Sequence, residues 1–192
     1  MLFNSIEFLL FFAVVFGLHF FVPDRRRWIL LLAASYIFYM AWNAACVALI
    51  FTSTLTAYLA GYGIGRTSSP TRRKTMLILC IVINIGLLAV FKYLDFSIDI
   101  FNEVSRTLGA RYIVPAANIV LPVGISFYTF QALSYAFDVY RGATETESHF
   151  GRFALFVSFF PQLVAGPIER SSHLLPQFRR KTRFEYSRVI DG

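Results

Sequence analysis

The side chains able to do chemistry in this sequence stand out because so much around them is apolar. Ser126, Gln131 and Ser134 fall in LPVGISFYTFQALSYAFDVYR (121–141), and Gln162 and His173 fall in FVSFFPQLVAGPIERSSHLLPQF (156–178). An unpaired amide or hydroxyl in an apolar helix is costly, so each needs a partner. Two readings stand open. These groups bond between helices, or they line a tunnel for a polar substrate, with Ser126, Gln131, Gln162 and His173 as the tunnel residues. An imidazole titrates near neutrality and suits general-base work on a hydroxyl. Of the three histidines, His19 and His149 read as interface or hydrogen-bonding residues. His173 follows Gly166 and Pro167 closely enough to border the same tunnel.

Other chemistries are excluded by absence of motif. The sequence contains no P-loop, no G-x-S-x-G, no H-E-x-x-H and no C-x-x-C, so neither a metal site nor a nucleophile elbow is expected. The run Gly61-Tyr62-Gly63-Ile64-Gly65 lacks the Lys-Ser/Thr of a phosphate loop and reads as the end of a packed helix. Cys46 and Cys80 each sit in an apolar run and read as buried thiols, not as a disulfide.

The elements that position these residues follow from composition. Of 192 residues, 57% are hydrophobic and 15% charged, against about 25% charged in soluble domains. With 22 Phe and 10 Tyr and a mean hydropathy of +0.60, the chain reads as an all-α integral membrane protein. Residues 3–22 hold only one charge, Glu7, and the basic cluster Arg25–Arg27 follows the apolar run. That order fits an uncleaved first span with its N-terminus outside the cytosol, not a signal peptide. Residues 28–65 carry no charge over 38 positions, about 57 Å as one helix and nearly twice the ~30 Å hydrocarbon core. Two spans must share that stretch, breaking near Trp42 and Asn43. Residues 76–91 supply a further span, which Lys92 and Tyr93 extend to the interface. In 112–137, Pro115, Pro122 and Gly124 predict a broken approach and then a helix from about Val123. Residues 153–168 are interrupted by Pro161, Gly166 and Pro167 and are too short to cross. They read as a re-entrant dip, which needs surrounding protein or a water-filled cavity.

Charge sets the orientation. The loops at 23–27 and 66–75 hold seven basic residues against the single acid Asp24, which puts both in the cytosol. The balanced stretch 92–111 suits the outer side. The final 24 residues carry six basic residues against three acids, so they belong back in the cytosol if 153–168 dips and returns. The expected architecture is therefore about five transmembrane helices plus one re-entrant segment. The basic clusters serve topology, anionic lipid or an anionic cytosolic donor; no nucleic-acid-binding motif accompanies them, so no nucleic acid is expected. The lipid bilayer is the first partner.

The runs LPVGISFYTFQALSYAFDVYRG (121–142) and FVSFFPQLVAGPIERSSHLLPQF (156–178), with MLFNSIEFLLFF and LLLAASYIFYMAWN ahead of them, resemble the membrane-bound O-acyltransferase superfamily. Within it they resemble the bacterial alginate O-acetyltransferase branch, with the D-alanyl transfer proteins of teichoic acid nearby. The resemblance covers residues 1–192, which it makes the N-terminal part of one larger helical membrane domain. It implies a multi-pass protein of the cell inner membrane that passes an acetyl group from a cytosolic donor such as acetyl-CoA to an extracytoplasmic polysaccharide such as alginate. It implies no bound cofactor, and it implies periplasmic polysaccharide-acetylation partner proteins. The family's essential His lies in a later membrane segment, after Gly192, so the resemblance assigns no catalytic residue within this chain. Rival readings are D-alanyl or other acyl transfer to a cell-envelope polymer, or a transporter-like protein. A transporter would also carry broken helices and buried polar groups, but it would favour an inverted repeat, which this sequence lacks.

Overall fold

In a computed structural model, residues 5–109, 113–163, 166 and 169–179 are described. All regular structure among them is helical. Helix α1 (Ile6–Phe21) begins where the Ser5 side chain accepts the Phe8 N–H, a standard N-cap. Helix α2 (Arg27–Met40) follows a 3₁₀ turn at Asp24–Arg26. The long uncharged stretch breaks where the spacing required. After Met40 the chain turns, and the Asn43 side chain accepts the Ala45 N–H to start a second 3₁₀ turn. Helix α3 (Val47–Arg66) then runs on.

Helix α4 (Pro70–Thr107) departs from the expectation of a span ending near Phe91. It continues unbroken for 38 residues, about 57 Å. The physical reason is local. Between Gly86 and Gly109 there is no Pro or Gly, and the acids and bases of 92–107 are tolerated on a helix surface. The helix starts on Pro70, whose missing N–H is no loss in a first turn, and stops just before Gly109, which adopts φ +73°. Among the described residues, the 3₁₀ turn and α3 together (Ala44–Arg66), and α4, are the two helices long and apolar enough to cross a membrane.

Helix α5 (Ile125–Arg141) begins one turn after Pro122, behind Gly124 at φ +73°. A Cβ on Gly124 would lie 2.6 Å from the Leu163 carbonyl oxygen, so glycine is required twice over, by conformation and by close approach. The described part of 153–168 is broken as anticipated, but not at Pro161; Pro167 lies outside the described residues. Helix α6 (Phe150–Ser158) stops, Phe159 leaves helical geometry at φ −56° and ψ 109°, and α7 (Phe160–Leu163) restarts with Pro161 in its first turn, where it fits. Helix α8 (Ser171–Gln177) follows.

The core lies where α3, α4 and α5 meet. Ala57, Ala132 and Ala136 are fully buried, and Gly61 lies so close to the Tyr135 ring that a Cβ would sit 2.5 Å from it. Small residues allow this approach, as is usual between membrane helices. Helix α6 packs on α2 and α3 with Phe153 and Phe156 fully buried, and α1 joins through Phe8, Phe11, Phe38 and Phe160. The Phe11 and Phe160 rings meet edge to face at 5.3 Å.

One polar cluster inside the core escaped the sequence reading. Asn84, completely buried on α4, receives the Ser53 hydroxyl and donates to Thr56 Oγ1 at 3.0 Å and the Cys80 carbonyl at 2.9 Å. Cys46 and Cys80 are themselves buried and free, as expected. Asn84→Ala removes the interhelical bonds while leaving Ser53 and Thr56 able to fall back on their own helix. The expected loss is about 1 kcal/mol, the range measured for membrane hydrogen bonds, readable by denaturant unfolding in detergent.

Candidate functional site

The interruption at Phe159 determines what surrounds it. In an unbroken helix, the Phe156 carbonyl would accept the Phe160 N–H, four residues on. The break orphans both groups inside an apolar interior, where neither can be left unpaired. Gln131 on α5 donates Nε2–H to the Phe156 carbonyl at 2.8 Å. Ser35 on α2 accepts the Phe160 N–H at 3.2 Å while its own hydroxyl donates to the Leu31 carbonyl. Gln131 also donates to Gln162 Oε1 at 3.3 Å, and Gln162 sits on α7 just past the break. Both glutamines are buried. Two of the four sequence-selected residues are therefore brought into contact.

The other two are not. Ser126 is half-buried at the start of α5 and accepts from Lys92 Nζ at 3.2 Å. His173 is exposed on α8. Ser134 donates to the Gln131 carbonyl within its own helix. No ion pair joins Asp138 to Arg141 among the described residues. The Asp138 carbonyl instead takes the Ala143 N–H as α5 ends at Gly142.

The two ends of the bundle differ in character. At one, the part of α4 beyond Phe91 carries an extended strap. Asp95 accepts the N–H groups of Ala117 and Ile119, each at 2.9 Å, and Asn102 makes a paired contact with Val114. Asp95 and Asn102 lie seven residues apart, on one helix face, a signal the sequence reading passed over because it took 92–111 for a loop.

At the other end the basic segments converge. Arg73 donates to the Tyr140 carbonyl at 2.8 Å. The Trp28 ring meets His149 at 4.6 Å, and a Cβ on Gly151 would collide with Trp28. His149 thus packs on an aromatic ring at this end. A cleft of about 190 Å³ opens here between His19, Asp24, Trp28, Phe159 and Phe178. Beside it, Glu147 is buried in the loop between α5 and α6. Its carboxylate accepts from Arg152 at 3.2 Å, from Arg179 and from the His149 N–H at 2.9 Å. Its own N–H donates to the Tyr135 hydroxyl. Burial alone would raise this carboxyl's pKa. The bonds from Arg179 and His149 and the charge of Arg152 outweigh burial and hold it below the usual range. Its contribution is therefore present at neutral pH and is lost only as pH falls through that lowered value.

The fold and this site define an all-helical protein, two of whose described helices could cross a membrane, in which a broken segment is wrapped by intact helices. Over 95% of its length the chain is 41% identical to a protein of Pseudomonas aeruginosa named probable alginate O-acetylase AlgI, covering 35% of that protein. A protein of the same name from Azotobacter vinelandii is 40% identical, with 37% of it covered. A peptidoglycan O-acetyltransferase of Helicobacter pylori is 32% identical over 81% of the chain, with 33% of it covered. These matches fit the resemblance to the alginate O-acetylase branch of the membrane-bound O-acyltransferases that the motifs carry. The chain spans about a third of the length of these curated relatives. No family model and no solved structure matches it.

Gln131→Leu strands the Phe156 carbonyl and removes one bond to Gln162, so a loss of about 1–3 kcal/mol in detergent stability is expected. Ser126→Ala, which disturbs only an exposed Lys–Ser contact, should stay within about 0.5 kcal/mol of the parent in the same measurement.

Proposed function

We propose that residues 1–192 form part of a multi-pass inner-membrane O-acyltransferase that moves an acetyl group from a cytosolic donor such as acetyl-CoA towards an extracytoplasmic polysaccharide. The observation that carries this reading is the similarity to named O-acetylases over nearly the whole chain. In this reading α1 to α5 each cross the bilayer, α6 and α7 dip in from the cytosolic side, and α8 lies back on that side. The convergence of the basic loops at one end of the bundle supports the orientation. The contact of Leu163 with Gly124 supports the dip, because it sets the far point of the segment against the start of α5.

Gln131 and Gln162, with Ser126 towards the outer end and His173 at the cytosolic end, then mark the wall of the path for acyl group and acceptor. The catalytic base and the opposite wall belong to the part of the relatives that this chain does not cover, and periplasmic partners complete delivery. An alginate-like acceptor is favoured over peptidoglycan because the alginate O-acetylases match more of the chain at higher identity.

The test is polysaccharide O-acetylation in a strain lacking its own alginate O-acetylase. The natural full-length protein should restore acetyl ester content, and residues 1–192 alone should not. Removal of a general base typically costs 10²–10⁴-fold, so the isolated chain should fall to background. In the full-length protein, His19→Ala and His149→Ala should keep most activity. Acetylation by residues 1–192 alone, lost on changing His19, His149 or His173, would place the base inside this chain and overturn the reading.

A further inference from the structure

The Glu147 carboxylate is a charged group in a place where charge is expensive. Its side chain is 0% exposed, yet the two guanidinium groups that neutralise it, Arg152 and Arg179, are partly solvated. A pair between surface side chains is worth little, but a buried carboxylate that loses a partner cannot turn to water instead. The two arginines come from different places. Arg152 lies in the first turn of α6, on the limb that runs inward. Arg179 lies just past α8, on the limb that has come back. Between them sits the broken tip, with Gln162 against Gln131 and Leu163 against Gly124. The loop bearing Glu147 is itself anchored to the bundle. Tyr135 accepts its N–H, Tyr58 donates to the Ser148 carbonyl at 2.7 Å, and Thr146 touches Gly65.

We propose that Glu147 is a positioning residue, whose single buried carboxylate fastens the inward and returning limbs of the dip to the bundle and so holds Gln162 at the depth of Gln131. The proposal rests on the re-entrant reading above, but its test needs no acetyl transfer.

Ser171 is the natural reporter. It opens α8, is 0% exposed, its hydroxyl has no partner among the described residues, and it lines the same cleft of about 260 Å³ as Glu147 and Arg179. If the returning limb lifts, this position is wetted early. In the natural full-length protein in native membranes, Ser171→Cys is labelled with membrane-permeant N-ethylmaleimide and the rate read by peptide mass spectrometry. Buried Cys46 and Cys80 serve as internal controls for the bundle. Glu147→Gln and Arg179→Met should each speed labelling at position 171 on the order of ten-fold, with Cys46 and Cys80 still protected. Glu147→Asp should restore part of the protection. The double variant should be no faster than the faster single one, because both changes open one latch. Unchanged protection of position 171 in Glu147→Gln, additive rates in the double variant, or Cys46 and Cys80 opening at the same rate would each overturn the proposal. The first two outcomes would leave the re-entrant reading untouched.

Discussion

A helix interrupted inside an apolar interior creates one donor and one acceptor that must be satisfied by something other than itself. Here that pair is the Phe160 N–H and the Phe156 carbonyl, and the whole arrangement of α2, α5 and α6 follows from supplying them with partners. Ser35 must face inward from α2, and Gln131 must face α6 from α5. Gln162 then falls beside Gln131, because α7 restarts immediately after the break. The aromatic cluster of Phe8, Phe11 and Phe38 around Phe160 closes the same spot with apolar area, so the repaired break stays dry. Gln131 therefore already has an interhelical duty. A role in lining a substrate path would be added to that duty, since the amide has to be fixed before it can orient anything.

The two ends of the bundle solve a second constraint. Polar backbone outside the helices needs partners as well, and each end finds them from polar and charged side chains. The strap before α5 hangs on Asp95 and Asn102 of α4, which is why that helix has to run far past the apolar span. At the opposite end, Glu147, Arg152 and Arg179 tie the loop after α5 to its neighbours, and Arg73 ties the last turn of α5 to α4. A rigid frame at both ends allows the irregular segment in the middle to be held in one geometry.

Much of this was legible in the residues. The turn at Trp42–Asn43 follows from length alone, and the glycine and prolines before α5 announced its broken approach. The pairing of Gln131 with Gln162 was not legible, because i,i+4 arithmetic within one segment says nothing about a partner 31 residues away. Ser35 and Asn84 were passed over for the same reason. Each is a single small polar residue in an apolar run, and its meaning lies in the helix opposite. The balanced charges of 92–111 suggest a loop, but the absence of Gly and Pro across 92–107 is the better guide to the extent of α4. His173, singled out for its neighbourhood, lies exposed on α8.

The central claim is that the broken segment enters and leaves on one side of the membrane. Cysteines placed at exposed Glu145 and Ser172, with Asp99 on the far part of α4 as the reference, can be probed by a membrane-impermeant maleimide on intact cells and on inverted vesicles. The account requires positions 145 and 172 to react only in inverted vesicles and position 99 only in intact cells. Reaction of position 172 from the same side as position 99 would mean that the segment crosses, and would contradict the account.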